Sequence, residues 1–191
     1  PKLSGREPVL VTLKMRRDVW NLRARRTFEL LLTALAAVMA KAGMRVVHYS
    51  VQRDHIHLIV ETENAASLSR RVAGLCVRIA RRLNTLMKRT GKVFADRFHE
   101  RVLTTPRQVR SPLRYVLLNA RKHGQAPSDH GWLDPYSSAS AFDGWTRAVV
   151  ASGARASPIP IAPPSTWLLK VGWRRGGPPI DPADRPGPLV V

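Results

Sequence analysis

Two strand-like segments joined by a two-residue connection constrain this chain more than any other feature. Met44 to Gln52 and His55 to Glu61 are rich in β-branched and apolar residues, with only Arg53 and Asp54 between them. So short a link reads as an antiparallel hairpin. Side chains alternate along a strand, so Ile56, Leu58 and Val60 point one way, toward a core, and His55 and His57 point the other. In the first segment Val47, Tyr49 and Val51 share one face, and His48, Ser50 and Gln52 share the opposite one.

The surrounding periodicities place this hairpin in a larger pattern. Val9 to Met15 reads as a strand and Arg16 to Arg26 as a basic loop. From Thr27 to Ala42 the apolar residues Phe28, Leu31, Leu32, Leu35 and Met39 recur at helical spacing, and Gly43 is a fitting stop. A second helix is expected from a Ser67 cap to about Arg89, with Leu68, Val72, Leu75, Ile79 and Leu83 on its apolar stripe. Val93 to Leu103 reads as a strand with a charged middle. The order β-α-β-β-α-β is the ferredoxin-like arrangement of an α+β antiparallel sheet. Ser111-Pro112 predicts the cap and first turn of a last helix, running to about His123 ahead of Gly124.

Beyond about Ser152 the composition changes. Nine of the fifteen prolines lie there, which predicts an extended tail. The expected division is therefore a domain over 1–150 and a Pro-rich basic extension over 151–191. Within the extension, Trp167 to Arg175 forms an apolar and basic island suited to docking on the domain or on nucleic acid.

Charge selects the partner class. Thirty-two Lys and Arg face thirteen Asp and Glu, a formal net charge of +19. Such an excess favours a polyanion, and the predominance of Arg suits bidentate phosphate contacts. No run of about 18 apolar residues is present, so no membrane span is expected. The N-terminus lacks a signal pattern. The single cysteine, Cys76, allows no internal disulfide or thiolate cage and suits a reducing cytosol.

The chemistry-bearing candidates follow. His55 and His57, two apart on one strand face, stand about 7 Å apart at Cβ and can share one divalent ion. The same spacing also arises in a structural or surface pair. Tyr115 and Asn119, four apart on the last helix, lie one above the other. Their face is about 130° from the Leu113, Val116, Leu117 and Ala120 stripe at about 100° per residue. A rim tyrosine with a capping asparagine would look alike. Tyr49 and Tyr136 have no such partner. His99 and His123 are auxiliary candidates.

Several motifs, in order, resemble one family. His55-Ile56-His57 with Leu58-Ile59-Val60 is similar to the His-hydrophobic-His strand of the Y1 HUH transposases of the IS200/IS605 class. Within that class the chain most resembles the REP-associated tyrosine transposases. Phe94 to Glu100 resembles their aromatic and basic segment, and Arg114 to Gly124 their Tyr-Ile-x-x-Asn-Pro-Val-Arg/Lys-x-Gly helix. Asp134-Pro135-Tyr136-Ser137-Ser138 is similar to their Trp-Pro-x-Ser-Ser element. The resemblance covers roughly residues 8 to 142. Ala120 replaces the family's proline, and Arg53-Asp54 stands where Pro-Asn is usual.

The resemblance implies a strand transferase that nicks and rejoins single-stranded, hairpin-forming DNA. In it Tyr115 is the nucleophile, and His55, His57 and Asn119 hold Mg²⁺ or Mn²⁺. Arg97, Arg101, Arg114, Arg121 and Lys122 are the candidate DNA contacts. It also implies a bacterial, cytoplasmic, nucleoid-associated setting and leaves monomer and homodimer both open. Two alternatives stand beside it. One is a catalytically inactive, domesticated nucleic-acid-binding protein of the same fold. The other is a metal-dependent phosphodiester hydrolase that uses water in place of Tyr115.

Overall fold

The structure, a computed structural model, describes residues 3–127, 130–147, 149–151 and 160–188. The chain runs β1 (Val9–Lys14), α1 (Arg25–Met39), β2 (Met44–Val51), β3 (His55–Thr62), α2 (Ala65–Leu86), β4 (His99–Val102) and α3 (Pro106–Leu117). Short elements follow: α4 (Asn119–Lys122), β5 (Trp132–Leu133), β6 (Val150–Ala151) and α5 (Trp167–Lys170). The main sheet has the order β2-β3-β1-β4 with every neighbouring pair antiparallel. This is the expected ferredoxin-like arrangement. β5 and β6 form a separate parallel pair.

Each face of the sheet buries its own apolar cluster. Val9, Val11, Leu13, Ile56, Leu58 and Val60 meet α1 and α2 on one side. Leu10, Val47 and Ile59 meet α3 on the other, which is also the face of His55 and His57. The hairpin closes as expected, Gln52 N–H donating to the His55 carbonyl at 2.8 Å. Among the described residues no helix is long and apolar enough to cross a membrane. Burial pushes the Cys76 thiol up to about 11, consistent with an inert side chain.

Local departures from the expected elements have physical causes. A bulge between Val46 and His48 breaks the alternation of β2. Val46, Tyr49 and Val51 face α1 and α2, whereas Val47, expected beside Tyr49, faces α3. Asn64 rather than Ser67 caps α2; its side chain accepts from the Ser67 N–H at 2.9 Å. The strand expected over Val93 to Leu103 pairs regularly only over His99–Val102, with a bridge from Phe94 to Met15. Ala95, Asp96 and Arg97 between them are exposed, which solvates the charges.

α3 begins earlier than Ser111 predicts. Thr105 caps it, accepting from the Gln108 N–H at 3.2 Å, and Pro106 takes the first turn. The same Thr/Ser-Pro signature thus occurs twice, and the upstream copy starts the helix, leaving Pro112 inside it. Nor does α3 run unbroken to His123. Leu118, at φ −113° and ψ 16°, interrupts it before the α4 turn, and Gly124 ends that turn at φ +67°.

The largest difference lies in the C-terminal segment. Instead of an extended tail, residues 160–188 fold back over α3. Leu168, Leu169, Trp173 and Ile180 are buried with Val109, Leu113, Val116 and Leu117. Buried Glu61 anchors this return, accepting from the N–H groups of Ser165 and Thr166 at 2.7–2.9 Å. Proline richness describes the backbone of this stretch, but its four large apolar side chains have a helix face to cover.

His48 makes the fold acid-sensitive. It is buried beside Phe142, with Nδ1 3.1 Å from the Ser138 hydroxyl. Burial pushes its pKa down to about 4, the nearby Asp143 charge opposing only in part. The unfolded chain therefore binds this proton near pH 6.5, well above the folded one. The contribution of neutral His48 is complete above about pH 6.5 and is lost as pH falls toward 4. Between pH 6.5 and 4.5 the wild type should lose roughly 2–3 kcal/mol more stability than His48→Gln. Parallel pH–urea titrations check this, and equal slopes for the two proteins would refute it.

Candidate active site

The register of the sheet builds the site around His57. Thr12 on β1 and Ser50 on β2 flank it. The Thr12 hydroxyl lies 3.0 Å from His57 Nδ1, and in the tautomer that donates from Nδ1 the Nε2 atom carries a lone pair. That Nε2 is buried without a hydrogen-bond partner. Burial above all, then the charges of His55, Lys122 and His123, push His57 down to about 3. The ring is therefore neutral, the form that ligates a metal.

His55 is held in a parallel manner. Its Nδ1 lies 2.8 Å from a carboxylate oxygen of Asp54, which that hydrogen bond holds below the usual carboxylate range. A carboxylate or hydroxyl behind an imidazole fixes ring orientation and leaves the opposite nitrogen to the site. The two rings are edge to face, centroids 4.9 Å apart. His123 stands 6.1 Å from His55.

The end of α3 completes the group. The Tyr115 ring packs edge-on to His57 at 5.3 Å. Lys122, from α4, places Nζ 3.3 Å from the Tyr115 hydroxyl and 4.6 Å from the ring centroid. Seven residues apart, the two side chains share one helix face. Tyr115 is 7% exposed and Asn119 1%, so the face expected to lie clear of the core is covered. Asn119 Oδ1 and Nδ2 are both buried without a partner among the described residues. A buried imidazole nitrogen without a partner, as at His57, is a donor set that suits a divalent cation, and the Asn119 amide oxygen is likewise unsatisfied among the described residues. Among the described residues no three His, Cys, Asp or Glu side chains form a metal-holding group.

An open cleft of ≈ 400 Å³ lies over these residues, lined by Thr12, His55, His57, His99, Tyr115 and Lys122 among others. Of the candidate DNA contacts, Arg101 and Lys122 line it. Arg97 is exposed on the bend before β4. Arg114 is engaged by the C-terminal segment, with Asp184 at 2.9 Å and the Arg185 carbonyl at 3.0 Å. Arg121 is turned inward, donating to the carbonyls of His130 and Trp132. Tyr49 is a fully buried core residue, and Tyr136 packs between Phe28 and the Arg23 guanidinium. Pro188 borders the cleft. Thr12, Asp54 and the Lys122–Tyr115 contact were not singled out from the sequence. Pairing β1 with β3 in the ferredoxin-like order would have brought Thr12 opposite His57.

Comparison with known proteins agrees with this architecture. A REP-associated tyrosine transposase bound to a REP hairpin superposes with a TM-score of 0.57 at 19% identity, covering 72% of this chain and 79% of that one. A candidate transposase from Deinococcus radiodurans R1 gives a TM-score of 0.44 at 15% identity, over 63% of this chain and 92% of that one. No curated protein matches the sequence. The family model described as "Transposase IS200 like" matches residues 7–110, which include His55 and His57 and stop short of Tyr115. A match over more than half of the chain, spanning every strand of the main sheet, makes this protein a member of the IS200-like transposase family.

Proposed function

We propose that this transposase cuts and rejoins single-stranded, hairpin-forming DNA through a covalent bond to Tyr115. The observation that supports this most is the packing of the Tyr115 phenol against His57 within one cleft, with the Lys122 ammonium on its oxygen. His55, His57 and Asn119 would hold a divalent cation, Mn²⁺ or Mg²⁺, which when bound polarises the scissile phosphate.

The chain's own groups do the rest. Tyr115 Oη attacks phosphorus; the new P–O bond forms as the bond to the 3′ oxygen breaks. The phenolic proton of Tyr115 passes to solvent and the departing 3′ oxygen takes one up, so the products are a 5′-phosphotyrosine and a free 3′-hydroxyl. Attack by a second 3′-hydroxyl reverses the step and frees Tyr115. The phosphodiester energy is retained in the adduct, so no nucleotide cofactor is consumed. Lys122 stabilises negative charge on the tyrosine oxygen when it leaves. Thr12 and Asp54 hold the imidazoles in their ligating orientation. Arg101 and Arg97 are placed to meet phosphates along the strand.

The decisive assay uses a 3′-labelled hairpin oligonucleotide with Mn²⁺. The labelled 3′ fragment should remain on the protein through a denaturing gel, and EDTA should remove the signal. Cleaved ends without an adduct would instead mark a hydrolase that uses water. Salt-sensitive binding without cleavage would mark a silent binding protein.

A further inference from the structure

The C-terminal segment leaves one large aromatic exposed beside a second cleft. Trp167 opens α5 and is half-exposed, whereas its neighbours Leu168 and Leu169 are buried. The cleft it borders measures ≈ 550 Å³ and is also lined by Arg6, Glu7, Thr104, Ser165 and Thr166. It lies at the N-terminal end of α3, where Pro106 also meets it. Tyr115 is nine residues further along that helix, about 13–14 Å at 1.5 Å per residue. Both clefts border the helix that carries the tyrosine, one at its start and one near its end.

The indole is held rather than free. A Cβ at Gly172 would sit 2.6 Å from the Trp167 ring, so only glycine allows the two to approach this closely. Glu61 pins the two preceding residues through their N–H groups. The Arg175 guanidinium lies over the ring, 5.4 Å from its centroid, and exposed Arg6 lines the same cleft. Inside the cleft the Glu7 carboxylate accepts from the Ser4 hydroxyl at 2.8 Å. A carboxylate there repels phosphate. An uncharged base therefore fits within, with its phosphates on the arginine rim. A pinned, half-exposed indole in a cationic frame is the arrangement on which unpaired bases stack. Pinning lowers the entropy lost on binding.

We propose that Trp167 and its cleft form an auxiliary subsite for one unpaired nucleobase of the single strand handled at Tyr115. The proposal rests on the single-strand reading above and extends the strand's footprint onto the C-terminal segment, outside the residues matched by the family model.

The test measures binding in EDTA, so it is independent of cleavage. Failure to form an adduct would count against the strand-transfer reading without touching this one. Fluorescein-labelled single-stranded oligo-dA is titrated into the full chain. Trp167→Ala should weaken binding about tenfold, and Trp167→Phe, which keeps a stacking face, should retain most of it. An abasic site moved along the oligonucleotide should weaken wild-type binding at one position and have no added effect at that position in Trp167→Ala. Trp167→Phe should melt close to the wild type, and Trp167→Ala, which loses the contact with Gly172, somewhat lower but well above the assay temperature. Wild-type affinity in Trp167→Ala would overturn the proposal. So would equal losses in both variants with lowered midpoints, which would mark Trp167 as structural.

Discussion

Tyr115→Phe should form no covalent DNA adduct, a loss of at least about 10⁴-fold of the kind seen when a nucleophile is removed. Its fold and its affinity for single-stranded DNA should barely change. The ring keeps its edge-on contact with His57, 5.3 Å between centroids, because that contact uses carbon atoms. What disappears is the oxygen and one hydrogen bond from Lys122 at 3.3 Å, worth about 1 kcal/mol or less at that length. The separation of effects is the point of the experiment. Gel detection of the adduct, fluorescence anisotropy for binding and a thermal melt read the three quantities independently. Persistence of the adduct in Tyr115→Phe would move the nucleophile elsewhere. Neither remaining tyrosine is a ready replacement: Tyr49 is fully buried, and Tyr136 is packed between Phe28 and Arg23.

Much of this arrangement is legible from local pattern, and the limits are instructive. The hairpin could be read because a two-residue link leaves one topology and because β3 alternates without interruption through His55, Ile56 and His57. Its partner β2 could not be read as well. The bulge near Val47 is a property of the paired strands, and nothing in Val46-Val47-His48 as a string marks it. Similarly, the Thr105-Pro106 and Ser111-Pro112 pairs are equivalent as cap signals. Which one starts α3 depends on where β4 ends at Val102. Lys122 reads as a solvated charge on a helix that continues to His123. The seven-residue spacing puts it on the same helix face as Tyr115, yet only the packed site shows its ammonium on the Tyr115 hydroxyl. The C-terminal segment was legible in part: the apolar island from Trp167 to Arg175 docks on the domain, one of the two expectations for it, whereas the extended tail does not hold over residues 160–188. Proline counts report backbone stiffness, whereas burial of Trp173 and Leu169 is decided by the apolar face that α3 leaves uncovered. Long-range partners thus carry what local periodicity cannot.

Asn119 offers the sharpest contrast between a structural and a ligating role. A buried structural asparagine is satisfied by its neighbours, and replacing it destabilises the fold. Here the amide has two donors and an acceptor in a site 1% exposed, and neither Oδ1 nor Nδ2 has a partner. Leaving such groups buried and unpaired costs about 1–3 kcal/mol. Leucine has nearly the same shape and no polar atoms. In EDTA, Asn119→Leu should therefore melt at or above the wild-type temperature, with a gain of up to about 1–2 kcal/mol. In Mn²⁺ the order should invert. The wild type gains stability because the ion binds only the folded state, and the variant gains little. Adduct formation should fall at least about 100-fold, in line with loss of a ligand. A metal-free Asn119→Leu protein that is clearly less stable than wild type, yet still forms the adduct, would remove Asn119 from the ligand set and leave His123 as the nearest further imidazole to His55.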